Sequence, residues 1–175
     1  KMNDEDILIY PGSSSITCGD PFTDQRDNQT YNTVLIGDKC WMAENLNIGE
    51  MINGTEEMTD NGIIEKYCFD NDPDNCEIYG GLYQWNEMMQ YTTTSGVQGI
   101  CPAGWYIPTD DEWKMLEGTV DSQYPVGDPI WNNLEWRGYD AGIELKQNGS
   151  SGFEAIFAGA NGYGMFIYLD SYAAF

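Results

Sequence analysis

Five cysteines, at positions 18, 40, 68, 76 and 101, constrain this chain more than any other feature. No two of them form a Cys-x-x-Cys pair, which excludes zinc ribbons and thioredoxin-like redox motifs. In an acidic, aromatic, loop-rich chain they read as disulfide partners, and disulfides imply an oxidising compartment. Cys68 and Cys76 enclose a short loop and are expected to pair. Cys18 with Cys40 is a reasonable second bridge. Cys101 is then left over, and an odd cysteine in an exported protein asks for a partner that the chain does not supply.

Composition narrows the class further. The 175 residues suit one domain, and 41% hydrophobic content is enough for a core. Twenty glycines and seven prolines predict many turns and irregular loops. Twenty-nine acidic residues face seven basic ones, a formal charge of −22. That charge repels phosphate backbones and anionic lipid surfaces, so nucleic acid is a poor partner. Histidine is absent. Its absence removes the commonest general base, the commonest transition-metal ligand and the usual partner of a nucleophilic Ser or Cys. No run of 18 or more apolar residues occurs, so no transmembrane helix is expected.

Local patterning predicts short elements. Residues 1–22 read as an N-terminal extension or leading strand. Tyr31, Val34 and Ile36 are strand-prone, Gly37-Asp38 marks a turn, and Lys39 to Met42 returns. Asp60-Asn61-Gly62 suits a type I′ turn, which suggests a hairpin there. In residues 80–90, Leu82, Trp85 and Met89 fall on one face of a helix. A second helix starts at Thr109, a good N-cap, with Glu112 three residues on to complete a capping box. Asp110, Asp111 and Glu112 then lie where carboxylates meet the positive end of the helix dipole, a structural role. Trp113, Met115, Leu116 and Val120 supply its apolar side, and Gly118 ends or weakens it. Residues 121–152 read as a long excursion, and 153–175 as short strands separated by glycine turns. The expected class is α+β: two short helices, small antiparallel sheets and long ordered loops.

Several runs now resemble a known family. TDQRDNQTYNTVLIGDKCWMAENLNI, YCFDNDPDNCEIYGGLYQWNEMM and GICPAGWYIPTDDEW, with the weaker AGIELK and GFEAIFAG, are similar in content and order to the Fibrobacter succinogenes major paralogous domain family. The resemblance implies a C-type-lectin-like fold over residues 23–175, nearest the formylglycine-generating-enzyme branch, and an extracellular or cell-surface location. It also implies that the C-terminal strands here are incomplete, since family members usually run past a YFWSS-like segment and carry one more cysteine. Cys101 would be that cysteine's partner. The formylglycine activity depends on active-site cysteines late in the chain, and none follows Cys101, so no enzyme activity is expected.

Two regions remain as candidate sites. Asp70, Asp72 and Asp74 alternate in DNDPDNC, and oxygen ligands at such spacing can wrap Ca²⁺. Pro73 interrupts the run, the tail of an EF-hand loop is missing, and Asp/Asn-rich runs are ordinary turn chemistry. No cofactor is required, and Ca²⁺ is an optional ligand. The second region is 158–175. Sequences of this kind often read close to AGARGYGGFSYLGSYAYFWSS, and Asn161, Met165, Ile167, Asp170 and Ala174 depart from it. Gly162, Tyr163, Gly164, Phe166, Tyr168, Leu169, Ser171 and Tyr172 keep the framework. Scattered departures on a kept framework are what a diversity-generating retroelement would leave in a variable protein. Met165 and Ile167 alternate and so share one face of a strand. The expected function is a noncatalytic ligand-binding module with its face in 158–175 and a protein or cell-surface partner. The alternative is a fixed carbohydrate-binding or adhesive module, assisted by calcium.

Overall fold

The structure is a computed structural model that describes residues 17–134, 136–162 and 164–171. Ala174 and most of the predicted N-terminal extension lie outside the described residues. The described elements are short. β1 (Phe22–Thr23) and β2 (Thr30–Tyr31) pair antiparallel. Their connecting turn is closed by Asp24, which is buried and bound by the Arg26 guanidinium at 2.6 Å.

The predicted hairpin is present. β3 (Thr33–Ile36) and β4 (Lys39–Met42) pair antiparallel across Gly37-Asp38, with Gly37 at φ 66°. Ile36 and Trp41 turn into the core while Leu35 faces solvent, the period-two pattern of a half-buried ribbon. Cys18–Cys40 ties the preceding segment to β4, and Cys68–Cys76 closes the short loop, as expected.

The predicted hairpin about Asp60-Asn61-Gly62 does not form. β5 (Glu50–Met51) and β6 (Glu65–Lys66) pair in parallel instead. Asn61 closes a local turn by accepting the Ile63 N–H at 2.8 Å and donating to the Glu65 carboxylate at 3.0 Å. Side-chain bonds to nearby backbone compete with ladder pairing, and here they prevail.

Helices are more numerous than the two expected. α1 (Pro73–Tyr79) occupies what reads as an acidic loop. Asp72 caps it by accepting the Asp74 N–H, and Pro73 takes the first helical position, where a missing N–H costs nothing. α2 is only Trp85–Met88. Met89 is buried after it, but Trp85 is 62% exposed, so the predicted shared face breaks at the tryptophan. α3 (Asp110–Val120) carries the predicted capping box. It runs through Gly118, where an added Cβ would lie 2.8 Å from the Val126 backbone. That glycine therefore permits a close loop approach rather than ending the helix. Met115 is exposed, so the apolar side of α3 rests on Trp113, Leu116 and Val120. The excursion from 121 to 152 holds a 3₁₀ turn, Pro129–Asn132, and α4 (Ala141–Leu145). Asp121, which follows α3, joins that helix to the start of α4: one oxygen accepts the N–H groups of Tyr139, Asp140 and Ala141, the other those of Gln123 and Tyr124.

The main core sits between the β3–β4 hairpin and α3. Ile36, Trp41, Leu116, Phe153 and Ala155 are buried there, with Val34, Trp113, Val120 and Leu145 against them. Trp41, Trp113 and Phe153 form an aromatic triangle with centroids 5.2 to 6.1 Å apart. Edge-on and tilted contacts at this range add to area burial. A second cluster gathers Met89, Cys101 and Ile107 beneath Trp105. Trp131 is 2% exposed beneath Gly118 and Gly138, although its surroundings carry no sequence periodicity.

Candidate functional site: the C-terminal hairpin

The C-terminal region forms a two-stranded antiparallel hairpin. β7 (Ala160–Gly162) and β8 (Met165–Ile167) pair Ala160 with Ile167, Asn161 with Phe166 and Gly162 with Met165. The turn contains Gly164 at φ 81°, a backbone state that favours glycine. In β8 the side chains alternate. Phe166 turns inward onto Phe69, centroids 5.3 Å apart, while Met165 is 67% and Ile167 40% exposed.

The inward side is closely fitted. A Cβ at Gly54 would stand 2.6 Å from the Phe166 ring. Gly54 is held from two sides: its N–H donates to the Asn71 side chain at 2.6 Å, and its carbonyl accepts the Asn161 amide at 2.9 Å. Asn161 also accepts the Gly164 N–H at 3.1 Å, which closes the hairpin turn. Asn161 is thus a brace, whereas Met165 and Ile167 form an outer face. Tyr168, which reads as framework, is 63% exposed at φ 64°. Its side-chain type carries no sign of this; the left-handed backbone turns it outward.

Asp170 is exposed, and its N–H donates to the Phe157 carbonyl at 3.0 Å. It borders a cleft of about 420 Å³ lined also by Ile78, Tyr79, Lys146, Gln147 and Phe157. Sequence reasoning missed this cleft, because its walls come from α1, the segment after α4 and the tail.

The aspartates of the acidic run have separate positions. Asp72 caps α1, and Asp70 has φ 58° in the turn before it. Among the described residues no three His, Cys, Asp or Glu side chains gather as a metal-holding group. The acids after Pro108 have structural tasks. Burial raises the Glu112 carboxyl, but the Thr109 N–H, the Tyr106 hydroxyl and Lys39 outweigh it and hold the group at about 2. Lys114 and Arg137 hold Asp110 below its ordinary value. Cys101 is unpaired and buried, and burial pushes its thiol up to about 11, so it is poorly nucleophilic at neutral pH.

The described site is a two-stranded hairpin that carries exposed apolar side chains, in a disulfide-bonded α+β domain. Residues 34–175 match the family described as Fibrobacter succinogenes major domain. The chain belongs to that family. No curated protein matches the chain. No solved structure matches it either. Among the described residues no helix is long and apolar enough to cross a membrane, and the two disulfides are compatible with an extracellular or secreted protein.

Proposed function

We propose that this chain is a noncatalytic ligand-binding module of C-type-lectin-like fold, located outside the cell or on its surface. Its contact face is the outer side of β8 and the tail after it: Met165, Ile167, Tyr168 and Asp170. The observation that carries the reading is the alternation in β8, with Phe166 anchored inward between two exposed apolar side chains. Exposed apolar groups on a fixed scaffold supply contact area at low ordering cost. The same division supports a variable protein of a diversity-generating retroelement, since outward positions accept replacement without disturbing the brace beneath them.

Sequencing the 3′ end of the gene across a natural population tests this. The expected result is substitution concentrated at codons 165, 167 and 170, with 54, 69 and 166 unchanged. Asn161 and Ala174 complete the candidate set from the sequence, and the bracing role of Asn161 predicts less variation there. A uniform low rate over the whole gene would sink the diversified-receptor reading.

The cleft beside Asp170 favours a second reading, a fixed carbohydrate-binding module. Tyr79 and Phe157 offer ring faces, and Lys146, Gln147 and Asp170 offer hydrogen-bonding groups to hydroxyls. Glycan-array binding lost on Tyr79→Ala, with Met165→Ala unaffected, would favour it. Array binding measured with and without added Ca²⁺ tests the calcium-assisted form.

A further inference from the structure

A buried amine and a buried carboxamide meet outside the candidate binding face. Lys66, on β6, is 9% exposed, and Asn47, in the segment after β4, is 4% exposed. The Lys66 ammonium donates to the Asn47 side-chain oxygen at 2.6 Å and to its backbone oxygen at 3.0 Å. The other end of the same carboxamide donates from Nδ2 to the Glu77 carboxylate on α1 at 3.3 Å. The orientation of the amide is settled by these partners, because its oxygen faces a donor and its nitrogen an acceptor. The Asn47 backbone is itself fixed: its N–H donates to the Tyr31 hydroxyl at 3.0 Å, and its carbonyl accepts the Gln29 amide at 2.9 Å. No ion pair to Lys66 is found among the described residues.

We propose that Lys66 and Asn47 form an intramolecular isopeptide bond, with Glu77 as the proton carrier. The three residues supply four groups in the order such a reaction needs: nucleophile, acyl carbon, leaving nitrogen, base. The Lys66 ammonium loses one proton, and the Glu77 carboxylate, on the far side of the Asn47 carboxamide, takes one up. The freed amine moves from the carbonyl oxygen to the face of the amide and attacks Cγ of Asn47. The tetrahedral adduct collapses as the Cγ–Nδ2 bond breaks. Nδ2 takes the proton from Glu77 and a second one from Nζ, and leaves as ammonium. A Lys66 Nζ–Asn47 Cγ amide remains and Glu77 is again a carboxylate, so atoms and charge balance without an oxidant or other co-reactant. Burial lowers the Lys66 pKa against the opposing charges of Glu77 and Asp27, which favours the amine form that attacks. Holding the two groups in contact replaces a bimolecular encounter with an intramolecular one, which removes part of the barrier to amide exchange. The product would close a loop between positions 19 residues apart that carries β5 and its parallel pairing with β6.

Intact-mass measurement of the folded, purified chain, after both disulfides are reduced, tests the proposal. The expected mass lies one ammonia, about 17 Da, below that of the sequence. Asn-Gly pairs at 53–54, 61–62, 148–149 and 161–162 can also lose ammonia as succinimides, so the loss must be located. Cleavage after glutamates should release residues 45–50 covalently joined to residues 66–77. Lys66→Arg should abolish the loss. Glu77→Gln should slow or abolish it while leaving the chain folded. A folded wild-type chain at the full sequence mass, or a loss located only at an Asn-Gly pair, would overturn the proposal.

Discussion

The Asn161 side chain donates to the Gly54 carbonyl at 2.9 Å, across 107 residues of sequence. This bond fastens the C-terminal hairpin to the loop after β5 and separates the brace of the candidate site from its contact face. Asn161→Ala removes it, together with the bond from the Gly164 N–H, and should cost about 1–3 kcal/mol on denaturant unfolding. Met165→Ala and Ile167→Ala should each stay within about 0.5 kcal/mol of wild type, because exposed positions away from such features rarely matter more. Equal losses for all three would contradict the division.

Gly54 is the second half of that brace. Gly54→Ala should push the Phe166 ring away from Phe69 and destabilise the chain by about 1–3 kcal/mol, the usual cost of overpacking. Near-ultraviolet circular dichroism should report the disturbed aromatic pair, and an unchanged spectrum would argue against the fit.

Acid should weaken α3 through Glu112. Its carboxyl falls from an ordinary 4.5 to about 2 on folding, so its stabilisation is complete above about pH 4.5 and is lost as pH drops toward 2. Glu112→Gln should therefore be less stable than wild type at pH 7, and the gap should narrow across that window. Measuring the difference between the two proteins at each pH cancels the general effect of neutralising an acidic surface. A gap that stays constant with pH would contradict the assignment.

Asp121 should behave in the same direction. Burial raises its carboxyl, but five backbone N–H groups outweigh it and hold the group well below its ordinary 3.8. Asp121→Ala leaves the α3–α4 junction without acceptors. Hydrogen exchange at Tyr139, Asp140 and Ala141 should accelerate before global unfolding does. Protection equal to wild type would contradict the role.

Removing Cys18–Cys40 as a double alanine variant should cost about 3 kcal/mol, and removing Cys68–Cys76 somewhat less, since the shorter loop has less closure entropy to lose. Thermal unfolding of both variants checks the order.

The features readable in the sequence were those carried by neighbours in the chain. The capping box at Thr109 and Glu112, the turn at Gly37-Asp38 and the alternation of Met165 and Ile167 each depend on a few adjacent residues. The cysteine spacing anticipated both bridges. Where local signals competed, tertiary structure decided. Asn-Gly at 61–62 allows a hairpin, but Asn61 bonds locally and β5 meets β6 in parallel. Trp85 fits an apolar helical face, yet α2 is too short to bury it. Gly118 reads as a helix stop and is instead a point of close approach, because only the folded chain brings Val126 and Trp131 there. The same holds for the groups of greatest chemical interest. Phe166 finds Phe69, Asn161 finds Gly54 and Lys66 finds Asn47 only after folding. Residue type determines what each group can donate, accept or cover, while packing between distant segments determines which partner it meets and whether water still competes.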